Sequence, residues 1–222
     1  MLFDYGLVLT GPPHPPAWEQ MKSILGGADE ETFFTAYWRP RHDYDRGTLN
    51  GEAYWRHVAK DLGRSLDKAE LTSLYEADSE LWTRPNQPMI TWAAALQAAK
   101  IRTGILSNLG DEMEIGVRQR CAWIEAFDHL TFSHHLRTAK PDLAIYRHAA
   151  QGVGVEPAHV LFIDDRADNI EAAREAGMQA IRYMDHLQFE ADMVSGGFGD
   201  LLHPAPKGSA TKVEARFPAA ER

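Results

Sequence analysis

The second half of the chain sets the terms for the fold. Between Ile90 and Tyr183 short apolar runs alternate with longer segments of helical period. Helices are predicted over 90–100, 111–123, 142–151 and 168–176, and strands over 102–107, 129–133, 159–164 and 178–183. Strands separated by helices of roughly 10–15 residues run parallel, because antiparallel neighbours need only a short turn. Crossover helices cover both faces of a parallel sheet, so its strands read as continuous apolar runs. His159–Asp164, His-Val-Leu-Phe-Ile-Asp, is such a run. The predicted fold class is α/β: a parallel sheet with helices on both faces.

The first part of the chain has another rhythm. Met1 to Leu9 is a short apolar run cut by Asp4 and Gly6, and the proline-rich stretch 10–16 reads as a loop. From Ala17 to about Pro88 the pattern is helical: Trp18, Met21 and Leu25, then Phe33, Tyr37 and Trp38, then Tyr54, Trp55, Val58 and Leu62, then Leu71, Leu74, Leu81 and Trp82. Five of the six tryptophans lie between Trp18 and Trp92, which predicts a helical bundle with its own aromatic core. The organisation read from the sequence is an α/β core over 1–16 and 87–202, a helical cap over 17–86 inserted after the first strand, and a solvated tail over 203–222. Only three residues precede Asp4, where about 5–6 are usual for a strand, so either the first strand is short or the true start lies upstream of Met1.

Charge narrows the function. Lys and Arg total 23 against 32 Asp and Glu, a formal net charge of −9. That argues against nucleic acid or an anionic membrane as the main partner, since both need positive potential. The single Cys121 forms neither an intrachain disulfide nor a zinc cluster by itself. No run approaches the roughly 18 apolar residues of a membrane span, and the start lacks the pattern of a signal peptide. A cytoplasmic protein, monomer or homodimer, is expected.

In an open parallel sheet, ligands collect at the carboxyl ends of the strands. Three predicted strand ends carry reactive groups: Asp4, Ser107-Asn108 and Asp164-Asp165, while Lys140 stands just before another helix. Adjacent carboxylates at the end of a buried strand repel unless a cation sits between them. The segments Phe3-Asp4-Tyr5-Gly6, Leu106-Ser107-Asn108, Lys140-Pro141-Asp142 and Phe162-Ile163-Asp164-Asp165-Arg166-Ala167-Asp168-Asn169 resemble, in order and spacing, the motifs of the haloacid dehalogenase superfamily. The likeness runs from residue 1 to about 186, and block 17–86 falls where that family inserts a helical cap.

The resemblance implies a Rossmann-like core and a magnesium-dependent phosphohydrolase acting on a small phosphorylated metabolite, such as a sugar phosphate. Asp4 would be the nucleophile, Ser107 and the Asn108 amide would hold phosphoryl oxygens, and Lys140 would neutralise charge. Mg²⁺ would be held by Asp4, the carbonyl of Gly6 and Asp165, with Asp164 and Asn169 ordering its waters.

One position departs from the pattern. The phosphatases of this family usually carry a second Asp two residues after the nucleophile as general acid, and here that residue is Gly6. General acid–base help is worth about 10²–10⁴-fold. A glucose 1-phosphate phosphatase branch also has Gly there, and the Asp-Asp-x-x-x-Asn ending resembles the phosphatase domain of soluble epoxide hydrolases. Two other readings stay open: a non-catalytic descendant that binds a phosphorylated ligand or a partner, and a metal-independent 2-haloacid dehalogenase. In the cap, the aromatic and basic cluster from Trp38 to Arg46 offers Arg41 and Tyr44 as substrate-binding residues. His134-His135 reads as a surface pair, Cys121 as a buried small residue and His14 as a loop residue.

Overall fold

In the computed structural model, which describes residues 1–205, five parallel strands lie in the order β3-β2-β1-β4-β5. They are β1 Leu2–Phe3, β2 Gly104–Ser107, β3 His129–Phe132, β4 Leu161–Asp164 and β5 Gln179–Arg182. The chain starts at the centre, steps outward through β2 to β3, then crosses back to β4 and β5. Strand order therefore reverses beside β1, and the crevice at its carboxyl end is where this architecture places ligands. Although β1 has two residues, both are paired on each side: Leu2 with Gly104 and Phe162, Phe3 with Ile105 and Ile163.

Five helices make up the insertion that follows β1: α1 Pro15–Ile24, α2 Glu30–Trp38, α3 Arg41–Asp45, α4 Gly51–Asp61 and α5 Lys68–Leu81. Their starts follow local chemistry. Asp29 and Asn50 accept from the backbone N–H of Thr32 and Ala53, and Asp67 with Glu70 forms a reciprocal cap on α5. Pro15 and Pro16, predicted to belong to the loop, open α1 instead. A proline in the first turn lacks only an N–H that has no intrahelical partner there. The two connections of the insertion run side by side, with Gly11 N donating to Arg84 O at 2.8 Å and Asn86 N to Leu9 O at 3.0 Å.

The remaining helices are α6 Gln87–Ala98, α7 Asp111–Arg120, α8 Ser133–Leu136, α9 Leu143–Val153, α10 Ala167–Glu175 and α11 His186–Ser195. Successive strand residues face opposite sides, as the pleat requires. Phe3, Ile105, Ile163 and Ile181 join one apolar cluster with α6, α7 and α11, while Leu2, Leu106, Phe162 and Ala180 join another with α9 and α10. The insertion does not keep a separate core. Tyr37, Tyr54 and Trp55 belong to the same cluster as Tyr5, Val8, Met113 and Val117. The α/β fold with helices on both faces is as the sequence predicts; residues 206–222, most of the expected tail, lie outside the described residues. Among the described residues no helix is long and apolar enough to cross a membrane.

Candidate active site

Asp4 follows β1 directly and is 7% exposed. Its Oδ1 accepts from Tyr5 N at 2.7 Å and lies 2.8 Å from Lys140 Nζ. Lys140 is itself buried and places the same ammonium 2.6 Å from Asp164 Oδ2. Asp164, at the end of β4, also accepts from Asn169 Nδ2 at 2.9 and 3.0 Å and from Arg166 N at 2.8 Å. Asn169 sits in the first turn of α10, so the helix start aims its amide at the strand end. Asp165 turns away from the sheet and is half-buried, and its backbone carbonyl accepts from Arg182 Nε.

Two of three clustered carboxylates thus share one ammonium. One oxygen each from Asp4, Asp164 and Asp165 lies within 4.8 Å of the others. Burial, opposed by Lys140 but reinforced by Asp164 and Asp165, pushes the Asp4 carboxyl up from its ordinary value. Asp165 is raised as well, by burial and then by Asp164. Lys140 is raised, because the pull of Asp164 and Asp4 outweighs its burial. Hard oxygen donors with excess negative charge are what a divalent cation such as Mg²⁺ takes, so this donor set fits the metal that the sequence predicts.

Ser107 and Asn108 end β2 beside Asp4, and Ser107 is 3% exposed. The Asn108 side chain is occupied: Nδ2 donates to Lys140 O at 3.0 Å and Oδ1 accepts from Lys140 N at 2.8 Å. Its side-chain amide thus holds the lysine's backbone in place. Asp4, Ser107, Asn108, Lys140 and Asn169 line one cavity of about 130 Å³, continuous with an outer cleft of about 510 Å³ that also reaches Gly6, Leu7 and Asp165.

The two predicted substrate-binding residues are placed differently. Arg41 borders the cavity, but its charge is matched within the protein: Nε donates to Asp45 Oδ1 at 2.9 Å and Nη1 to both oxygens of Asp78 at 3.2 Å. The rings of Tyr37, Tyr44 and Tyr54 surround the guanidinium at 5.2–5.7 Å. Tyr44 is 1% exposed, stacks on Tyr54 at 4.5 Å and does not border the cavity. Its hydroxyl accepts from Met113 N at 3.1 Å, tying α3 to α7. The ring packs so closely on Gly110 that a Cβ there would lie 2.3 Å from it. Tyr44 is thus a packing residue at the junction of insertion and core. The cavity walls to which the sequence analysis gave no role are Tyr5, Asp45, Trp82, Leu109, Met113 and Arg166. Trp82 carried a signal, its place in the apolar period of α5; Asp45, between two arginine-bearing positions, carried none.

His134 is not the surface residue its sequence suggests. Its side chain is 11% exposed, with Nδ1 2.7 Å from Leu109 O and Nε2 3.1 Å from Glu114 Oε2, an oxygen that His135 Nε2 shares at 2.7 Å. Arg118 Nε donates to the other Glu114 oxygen at 2.7 Å. Cys121 is buried beside the Tyr5 hydroxyl, and His14 pairs with Glu80 at 3.1 Å.

Comparison with known proteins gives a consistent family. A family model described as haloacid dehalogenase-like hydrolase matches residues 7–177. The N-acetylmuramic acid 6-phosphate phosphatase of Pseudomonas aeruginosa is 30% identical over 135 residues, 57% of this chain and 60% of that protein. The chain thus spans less than two thirds of that relative. The (S)-2-haloacid dehalogenase 1 of a Pseudomonas species is 28% identical over 169 residues, 71% of this chain and 73% of that protein. Among solved structures, a HAD-family enzyme of Bacteroides thetaiotaomicron superposes with a TM-score of 0.69 at 20% identity, covering 82% of this chain and 91% of that one. The same enzyme has been solved with magnesium and inorganic phosphate.

Proposed function

Since the chain belongs to the haloacid dehalogenase-like hydrolase family, we propose that it is a metal-dependent phosphomonoesterase in which Asp4 is the nucleophile. The observation that carries this reading is the clustering of Asp4, Asp164 and Asp165, two of which share the single Lys140 ammonium. A carbon-directed dehalogenase needs Asp4 and a cation beside it, but it has no use for a third carboxylate at Asp165.

Each residue then has a task. Asp4 Oδ1 is held by Tyr5 N and Lys140, which leaves Oδ2 to attack phosphorus. Lys140 screens the approach of one anion to another, and Ser107 with the Asn108 main-chain N–H holds phosphoryl oxygens. Asp4, Asp165 and the Gly6 carbonyl would hold Mg²⁺, with Asp164 and Asn169 placed to orient its waters. The bound cation supplies charge neutralisation at the phosphoryl oxygens. Water then cleaves the aspartyl-phosphate, releasing phosphate and restoring Asp4.

The substrate class is a small phosphorylated metabolite, in keeping with a cavity of about 130 Å³ and a relative that acts on a sugar phosphate. We place the protein in the cytoplasm, as a monomer or homodimer. The test is hydrolysis of an aryl phosphate and of a metabolite panel after chelation and after Mg²⁺ is restored. Loss and recovery of turnover, abolished by Asp4→Asn, are expected. Chelator-resistant release of halide from a 2-haloacid supports the dehalogenase instead, and turnover of no substrate supports a binding protein.

A further inference from the structure

The cavity contains a nucleophile, a cation and hydrogen-bond donors, but an ester of an ordinary alcohol also needs a proton for its departing oxygen. Nothing at Gly6 supplies it: a Cβ built there meets no atom within 4 Å, so the space where an acid could stand is open. The other groups around the cavity are committed. Lys140 is held between Asp4 and Asp164, Arg41 between Asp45 and Asp78, and Arg166 by Asp168 at 2.6 Å.

Asp45 is different. It closes α3 and borders both the inner cavity and the outer cleft with Asp4. Its Oδ1 accepts from Arg41, while among the described residues Oδ2 has no protein hydrogen-bond partner. Its position is set by the core as much as by the insertion. The Tyr44 hydroxyl accepts from Met113 N, the Asp45 carbonyl accepts from Ser133 Oγ, and Arg46 Nη2 donates to Asp142 Oδ2 at 2.9 Å. Three consecutive residues are anchored to the α/β core, so the carboxyl of the middle one is held over the cavity.

Resting on the phosphatase reading above, we propose that Asp45 is the general acid and base of the reaction, supplied from the helical insertion in place of a residue at position 6. In the first step the Asp4 Oδ2–phosphorus bond forms and the ester P–O bond breaks. The Asp45 carboxyl gives its proton to the departing oxygen and becomes a carboxylate. In the second step that carboxylate takes a proton from water as the water oxygen bonds to phosphorus and the bond to Asp4 breaks. Alcohol and phosphate leave, and both side chains return to their starting states. The environment suits the role. Burial raises the Asp45 carboxyl to about 6 against the opposing pull of Arg41; Asp78 raises it further and Lys140 lowers it. A carboxyl near that value carries a proton in part of the population close to neutral pH, which favours proton transfer in both directions.

The experiment compares a primary alkyl phosphate with p-nitrophenyl phosphate, whose leaving group departs without a proton, in the full chain with Mg²⁺. Asp45→Asn keeps an oxygen for Arg41 and is expected to lower kcat/KM for the alkyl ester about 10²–10⁴-fold and for the aryl ester less than about tenfold. Adding Gly6→Asp to Asp45→Asn, where the open space admits the new side chain, is expected to restore part of the alkyl rate. Equal losses for both esters assign Asp45 a structural role and overturn the proposal, as does an alkyl rate that Asp45→Asn leaves unchanged. A wild-type protein that cleaves the aryl but not the alkyl ester overturns Asp45 as acid while keeping the phosphatase reading. Turnover of neither ester overturns both.

Discussion

Lys140→Met is the most informative single change, because one ammonium serves two buried carboxylates. At 2.8 and 2.6 Å from Asp4 and Asp164, each attraction amounts to about 6 kcal/mol at an effective dielectric constant near 20. Desolvation of the lysine offsets much of this, and breaking a buried pair from one side costs about 3–5 kcal/mol. For a chain of this size that lowers Tm by about 6–20 °C. The pH dependence gives a sharper check. The folded Asp4 carboxyl is already raised above its ordinary value, so its burial is tolerated at low pH, where it is neutral, and destabilises as pH rises through the folded value. Without Lys140 that value rises further. The deficit of the variant is therefore largest at about pH 8 and narrows towards about pH 5. Thermal melts of both proteins in chelator at the two pH values test this. A variant within about 1 kcal/mol of wild type at the higher pH, or a gap that widens on acidification, would falsify the account of Lys140 as the shared counter-charge.

Three further outcomes follow from single substitutions. Tyr44→Phe leaves the buried Met113 N–H without an acceptor, which costs about 1–3 kcal/mol; a melt should show this, and KM should not change if Tyr44 packs rather than binds substrate. Leu7 has φ 59° and is 37% exposed, so Leu7→Asn is expected to add about 1 kcal/mol by relieving left-handed strain, and a lower Tm contradicts that. Burial would raise Glu114, but hydrogen bonds from His134 and Arg118 hold it at about 2. Its contribution is present above the ordinary carboxylate value of about 4.3 and is lost as pH falls towards the folded one. Glu114→Gln should remove about 2–3 kcal/mol at about pH 6 and flatten the acid side of the stability profile, and an unchanged profile counts against the ion cluster.

The parts of the fold that were legible in the sequence are those where one requirement rules the residue choice. A strand covered on both faces must be apolar throughout, so His159–Asp164 announced β4 and the carboxylates at its end. Helix α11 was not seen, because its buried residues are Phe189 and Met193 while Leu187 and Val194 face solvent, which blurs the helical stripe. At the site, Asp4, Ser107, Lys140 and Asp164 could be placed together because each ends a strand or opens a helix at the same edge. Arg41 was misleading for a physical reason: its partner Asp78 lies 37 residues away on α5, and a sequence shows a charge without showing what neutralises it. The same holds for Asn108, whose side chain serves Lys140 across the sheet edge.

The pairing of β1 also bears on when the protein becomes active. The residues just before Asp4 are made long before β2 and β4, yet they pair only with Gly104–Ile105 and Phe162–Ile163. Asp4 thus has no seat until the chain has been made as far as β4, and that same strand ends in the carboxylates beside it. Long-range strand pairing of this kind is slow compared with helix formation, so the helices between can form while Asp4 is still unplaced. A chain truncated before β4 carries Asp4 but neither the strand that positions it nor Asp164 and Asp165. Strand β4 in this way both completes the pairing of β1 and brings two carboxylates beside Asp4.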